Sequence, residues 1–372
     1  MSTLMAVNKQ WATRPADETF NDLPSAYQAA KQHADNSVEK ADVVPSSLRL
    51  AVENDAVVLV GKGNQPASLS HWAFGQMSSL VGAPASYLRE LPATLATQNL
   101  NYGLKEKYGT TDKPVDADER VNLLIQANGS LMVRSINSDR YSRIWNHELL
   151  SRCMELTPYG WTNPRPFNKG EQVGTVWVSD HDMFVFQTND QNLIQVPGED
   201  RVLRRGYIMS NSEVGAARWK TMTFLFDFMC CNRMIWGATE LNEISVRHVG
   251  SVSGRVDELF QKFAVEAKRY AESSGIAEEA AIEKAMKTII ADTKEGVIEK
   301  VFKVLRGDIT RKAIEAGYDT AVALPDTKSG ANSVWGLSNG LTRWSQSIQF
   351  TDERMGVDRA AGKLIELART AF

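Results

Sequence analysis

Two apolar-rich runs, residues 121–127 and 130–136, are joined by Asn128-Gly129. Such runs mark strands, and Asn-Gly readily takes the left-handed dihedrals of a type I′ turn, so an antiparallel hairpin is predicted. Alternation on the second arm puts Leu131, Val133 and Ser135 on one face and Met132, Arg134 and Ile136 on the other, which places Arg134 at a rim. There it reads either as a ligand-contacting cation or as a long side chain covering the sheet with its stem. The runs at 48–52 and 56–60, separated by Glu53-Asn54-Asp55, predict a second hairpin that ends at Gly61-Lys62-Gly63. Those at 173–178 and 183–187 predict a third strand pair about residues 179–182.

Helical spacing appears at 70–81, where Trp72, Phe74, Met77, Leu80 and Val81 lie mostly on one side before Gly82 and Pro84. Further helices are predicted at 85–91, from Pro92 through Leu95, Leu100 and Leu104, and at 144–156, opened by Asn146. Residues 207–209 read as a short strand leading into Ser210-Asn211-Ser212-Glu213, a capping-box pattern that starts a helix. Residues 214–232 are apolar on nearly every face, which predicts a core helix enclosed by other elements. Its Arg218, Lys220 and Asp227 must then be paired or point into a cleft, and pairing is the favoured reading. Beyond Val249 the pattern becomes amphipathic and charge-laced, with helices predicted at 252–271, 277–290, 296–306 and 309–316. A last helical segment runs through Trp335, Leu337 and Trp344 and resumes at 360–368.

The fold class is therefore α+β: antiparallel hairpins packed on a buried helix, with a mostly helical C-terminal section. The expected division is a polar N-terminal arm at 1–45, a mixed α+β core at 46–250 and a helical section at 251–372.

Composition narrows the class. A chain of 372 residues, 43% hydrophobic and 23% charged, fits a soluble globular protein with a substantial core. A net charge of −3 gives no global attraction to polyanions, so any nucleic-acid contact must come from a local patch or an oligomeric groove. No apolar run reaches the ~20 residues of a membrane span, and a cytoplasmic location is expected. Cys153, Cys230 and Cys231 read as reduced core thiols. His33, His71, His147, His181 and His248 are scattered and form no metal-ligand motif, so neither metal nor cofactor is expected. Gly61-Lys62-Gly63 lacks phosphate-loop spacing, no nucleophile elbow is present, and Asp180-His181-Asp182 reads as a turn; no enzymatic activity is expected.

Ser138-Asp139-Arg140-Tyr141, Ser212-Glu213-Val214-Gly215, Cys231-Asn232 and Arg247-His248-Val249-Gly250 resemble, in residues and order, a large phage- and plasmid-borne family numbered 932 among domains of unknown function. Trp72-Ala-Phe-Gly-Gln76 through Pro84-Ala-Ser-Tyr-Leu88 is similar to its early helical segment, and Val334-Trp-Gly-Leu-Ser-Asn339 with Leu341-Thr342 to its closing one. The chain departs from the family where Arg233 follows Cys-Asn in place of a glycine. The resemblance implies a mobile-element protein that acts in the cytoplasm of a bacterial host, and a looser likeness runs to phage single-strand annealing proteins of the Red-beta and Erf kind. It implies a nucleic-acid-binding role, with single-stranded DNA as partner, in annealing or recombination.

Basic residues cluster where that likeness falls: Arg134, Arg140 and Arg143, then Arg201, Arg204 and Arg205, then Arg218 and Lys220, then Arg247 and His248. The planar fork of arginine suits phosphate. Tyr141 could stack on bases, although with Trp145 four residues on, packing on the hairpin is the favoured reading. The candidate nucleic-acid-binding residues are thus Arg134, Arg140, Tyr141, Arg143, Arg204, Arg205, Arg218, Lys220, Arg247 and His248, in a protein expected to form homo-oligomers. The alternative is a factor that binds a host protein, for defence evasion or takeover, through its C-terminal helices.

Overall fold

A computed structural model describes residues 18–61, 65–115, 119–163, 176–227, 232–234, 244–324, 328–348, 351–368 and 370–372. The chain opens with β1 (Thr19–Phe20), α1 (Leu23–Asp35) and β2 (Ser37–Val43). A hairpin of β3 (Arg49–Glu53) and β4 (Ala56–Val60) follows, then β5 (Pro66–Leu69) and the helices α2 (His71–Leu80), α3 (Ala85–Glu90) and α4 (Ala93–Tyr108). The small ribbon of β6 (Gly109–Thr110) and β7 (Lys113–Pro114) precedes the hairpin of β8 (Val121–Asn128) and β9 (Ser130–Ser138). After α5 (Asn146–Met154) come β10 (Trp161–Thr162), β11 (Val176–Val178), β12 (Met183–Gln195), β13 (Val202–Asn211), β14 (Trp219–Asp227), β15 (Asn232–Met234) and β16 (Ile244–Val246). The remainder is helical: α6 (Val256–Glu272), α7 (Ile276–Lys287), α8 (Lys294–Val304), α9 (Arg311–Ala323), α10 (Val334–Ser345) and α11 (Thr351–Leu367).

Two sheets organise these elements. The first has the order β2-β8-β9-β5-β4-β3, and α2 to α4 cover its core of Met77, Leu100, Tyr108, Leu123 and Val133. The second has the order β1-β11-β12-β13-β14-β15, with β10 on β12 and β16 on β14. One of its faces packs Trp161, Tyr207 and Trp219 against α1, α5 and α6, while the other carries Phe184, Phe186, Ile208, Met222 and Phe224. Its far end, with Ile194, Val196, Leu203 and Leu225, sinks into the C-terminal helices around Trp335 and Leu341. The mixed α+β class with a helical C-terminal part holds.

The core helix expected at 214–232 does not form: residues 219–227 are strand β14, paired with β13 along its length. Trp219 and Leu225 face one side of the sheet and Met222, Phe224 and Phe226 the other. A strand buried on both faces has no polar side, so a short apolar run looks the same as a buried helix. The capping box at 210–213 consequently opens no helix at its own position, and the short strand at 207–209 is the middle of the ten-residue β13. Cys230 and Cys231, placed by the sequence in that helix, lie outside the described residues. Cys153 is buried and free, and burial pushes its thiol up to about 12.

Two turn expectations change places. Asn54 and Asp55, with φ of 49° and 58°, form the two-residue left-handed turn between Glu53 and Ala56. At Asn128-Gly129 only Gly129 is left-handed, with φ 73°, and Asn128 pairs with Ser130, so the hairpin closes about Gly129 and not through a two-residue type I′ turn.

Arg134 is not at a rim. Leu124 pairs with Ser135 and Ile125 with Val133, which leaves Arg134 as the extra residue of a β-bulge. The bulge shifts the alternation, so Val133 and Ile136 enter the same core and Arg134 is 1% exposed. Residues 18–45, expected within a polar arm, supply α1 to the core of the second sheet and β2 to the edge of the first.

Candidate functional site

Four of the motifs that carry the family resemblance, at 72–76, 138–141, 212–215 and 247–250, meet where the two sheets join. The turn after β13 presents the Val214 carbonyl to three donors: Trp72 Nε1 at 2.9 Å, Gln76 Nε2 at 3.1 Å and Asn137 Nδ2 at 3.0 Å. Gln76 Oε1 in turn accepts the Ile136 amide at 2.8 Å. Gly215 has φ 90°, and a Cβ there would sit 3.0 Å from Asn137 Nδ2 and 3.3 Å from the Tyr141 ring, so both backbone and space call for glycine. Tyr141 donates its hydroxyl to the Ser212 carbonyl at 3.1 Å and stacks on His248, ring centroids 5.3 Å apart and planes 8° apart. Backbone bonds from Ser142 to the His248 carbonyl, 3.0 Å, and from Gly250 to the Arg140 carbonyl, 3.1 Å, fasten residues 247–250 to the turn at 138–141. Burial moves the His248 imidazole down to about 4, so it is neutral at neutral pH.

Beneath this node lies a buried ionic seam. Arg134 donates from Nη2 to Glu213 Oε2 at 2.8 Å, from Nε and Nη2 to the Asp180 carbonyl at 3.2 and 2.7 Å, and from Nη1 to Ser37 Oγ at 3.1 Å. Glu213 Oε1 accepts the Asn146 amide at 2.8 Å, so the expected capping carboxylate does cap a helix, but a remote one, α5. Arg143 donates to the Glu213 carbonyl and to Glu39 Oε1 at 3.0 Å, with its guanidinium 5.4 Å from the ring centroids of both Tyr141 and Trp145. Ion pairs this enclosed fix register between elements more than they add net stability.

The ten candidate residues therefore separate. Arg134 and Arg143 belong to the seam, and Tyr141 and His248 to the node. Arg205 is 1% exposed, donates to the Asn192 carbonyl and Glu278, and lies over Tyr270 at the opposite end of the second sheet. Arg204 pairs with Asp190 at 2.6 Å. Arg201, from the same run, reaches Glu199 at 3.0 Å and Asn339 of the closing motif at 2.9 Å. Lys220 is half-buried and engaged.

Arg140, Arg218 and Arg247 remain, all exposed. Arg218 and Arg247 flank the last pair of the β14–β16 ladder, Trp219 with Val246, and Arg140 is held beside them through Gly250. None of the three carries an ion pair among the described residues.

The turn at 179–182 has the residue types of a hydrolase triad without its geometry. Ser179 Oγ, at 3.2 Å, and Asp180 Oδ1, at 2.7 Å, both meet Nδ1 of His181; Asp182 Oδ2 approaches Nε2 only to 3.5 Å, and the Ser179 hydroxyl donates to Asp182 Oδ1 at 2.7 Å, whereas proton relay needs a serine that donates to one ring nitrogen and an acid bonded to the other. Burial alone would push the Asp180 carboxyl up, but the His181 hydrogen bond and the charges of His181 and Arg134 hold it below the usual range. His33 and His71, far apart in sequence, also border this seam. Burial lowers both, aided by Arg134 at His33 and by Arg89 at His71. Among the described residues no group of three or more His, Cys, Asp or Glu side chains is placed to hold a metal ion. Nor is any helix among them long and apolar enough to cross a membrane.

Sequence reasoning missed Glu213, Glu39, Gln76 and Asn137 as the groups that organise the node. Glu213 carried a signal in its capping-box spacing, and Glu213 and Gln76 both stand in motifs of the family resemblance; Glu39 and Asn137 carried none.

A family model described as "Domain of unknown function (DUF932)" matches residues 133–364, a span that includes the 138–141, 212–215, 247–250 and 334–339 motifs and starts after Trp72 and Gln76. No curated protein and no solved structure matches the chain.

Proposed function

The chain belongs to the DUF932 family, and we propose that it is a non-enzymatic nucleic-acid-binding protein that holds a single strand on the rim formed by Arg140, Arg218 and Arg247. One observation supports the reading: Arg140, Arg218 and Arg247, distant in sequence, are exposed on segments linked by the Trp219–Val246 pair and the Gly250–Arg140 bond, while Arg134, Arg143 and Arg205 are buried in ion pairs. Free guanidinium forks favour phosphate oxygens, and turns projecting from a sheet edge suit a bendable single strand. The rim also borders an aromatic surface. Lys220 is in phase with Met222, Phe224 and Phe226 on β14, and Trp177 and Phe226, half-buried at the margins of that face, offer rings for base stacking. Assistance to annealing or recombination in a mobile element is the role that the resemblance implies.

The test is fluorescence anisotropy with a labelled single-stranded oligonucleotide. Three phosphate contacts predict that log K falls with log salt at a slope of about 2, taking ~0.7 per contact for single strands. The variant R140E/R218E/R247E should lose binding at least tenfold and flatten that slope while its melting temperature stays unchanged. Absence of binding by the unaltered chain in low salt sinks the proposal.

A further inference from the structure

The two edges of the six-stranded sheet are finished differently. At β3, the Asn101 side chain from α4 accepts the Leu50 amide at 3.0 Å and donates to the Leu50 carbonyl at 2.8 Å. A carboxamide thus occupies the place of a neighbouring strand and seals that edge. At β2, β8 pairs with one side of the strand, α1 packs on it, and Arg134 and Arg143 reach the Ser37 and Glu39 side chains; among the described residues no side chain bonds the outward backbone of Ser37 and Glu39 as Asn101 does that of Leu50. Residues 38–42 are all exposed, with Val38 at 67%.

The bond from the Ala127 amide to the Asn36 carbonyl, 2.8 Å, sets the phase of β2. Asn36, Val38 and Lys40 turn their backbone groups toward β8, and Ser37 and Glu39 turn theirs outward. A register shift between Lys40 and Val43, with Asp42 at φ 58°, ends the regular edge.

We propose that β2 is a self-association edge, on which a second copy of this chain pairs antiparallel about a two-fold axis at Val38. The edge's own sequence admits a second copy in one favoured register, because two-fold pairing sets one residue opposite itself. An axis at Lys40 opposes two ammonium groups, and like charges directly opposite are destabilising; an axis at Glu39 crowds together two carboxylates that each already serve their own Arg143. An axis at Val38 buries the one strongly exposed apolar side chain of the strand against its twin. It also sets the outward amides and carbonyls of Ser37 and Glu39 against those of the partner's Glu39 and Ser37. The pairing closes as a dimer and does not grow into a filament, because β3, the other edge of this sheet, is sealed by Asn101.

The experiment uses the full chain. Under mild oxidation Val38→Cys should form a disulfide-linked dimer, since opposed residues in a non-hydrogen-bonded pair have Cα atoms ~4.5 Å apart, within disulfide reach. Lys40→Cys, displaced from the axis, should cross-link at least tenfold more slowly, both rates taken over the background of the unaltered chain. In sedimentation velocity the unaltered chain should dimerise with rising concentration, and Val38→Lys should stay monomeric with an unchanged melting temperature. A chain that is monomeric at every concentration overturns the proposal. So does a dimer that survives Val38→Lys, or cross-linking no faster at residue 38 than at residue 40.

Discussion

The buried seam and the exposed rim draw their arginines from the same stretches of chain, yet treat them oppositely. Arg134 and Arg143 lie on either side of Arg140 in sequence; the outer two are enclosed by Glu213, Glu39 and backbone carbonyls, and the middle one faces water. In the seam each guanidinium has fixed partners from other elements, so its charge specifies how the sheets meet. At the rim the three arginines are exposed and carry no ion pair among the described residues. The lesson is that arginine density in sequence locates a region, while the bulge at Arg134 and the turn at residues 138–141 decide which arginine does what.

The comparison is broken most severely by Glu213→Ala, which strands the Arg134 guanidinium and uncaps α5. Chemical unfolding should show a loss of about 3–5 kcal/mol, the usual cost of removing one member of a buried pair. A loss below about 1 kcal/mol would mean that the seam is dispensable.

Acid offers a second way to separate the regions. His248 is lowered from 6.5 to about 4 in the folded protein, so the unfolded chain takes up this proton first as pH falls. Stability from this site is present in full above pH 6.5 and is lost progressively down to pH 4, by about 3 kcal/mol for a shift of this size at 1.36 kcal/mol per unit. His248→Phe keeps a flat ring on Tyr141 and should remove that component, read as the difference between the two proteins' unfolding free energies at pH 7.5 and 4.5. An identical pH dependence in both would refute the assignment.

The smallest effect sharpens the contrast. Arg218→Glu alone should change unfolding free energy by less than about 0.5 kcal/mol, as expected for a surface site. A larger loss would show that this side chain is a structural member after all.

Much of the fold was legible where the signal is local. The β8–β9 hairpin, the Ser70-capped α2 and the C-terminal helices follow from periodicity and caps within a few residues. β14 was hidden because both of its faces are covered, which erases the alternation that identifies strands. The candidate site was legible as a neighbourhood only. Arg134 and Glu213 are 79 positions apart, and nothing near either residue announces the other. The convergence of Arg218 and Arg247 likewise depends on an antiparallel pairing that reading 214–232 as a helix precluded.

Glu213 joins an arginine from one sheet to the first turn of α5, and this has a kinetic corollary. Until β13 and the bulge of β9 have come together, the Asn146 amide lacks its acceptor and the helix behind it lacks a start. Helix α5 should therefore become protected from hydrogen exchange only after the sheets have docked, which makes the Asn146 amide a clock for the assembly of the whole seam.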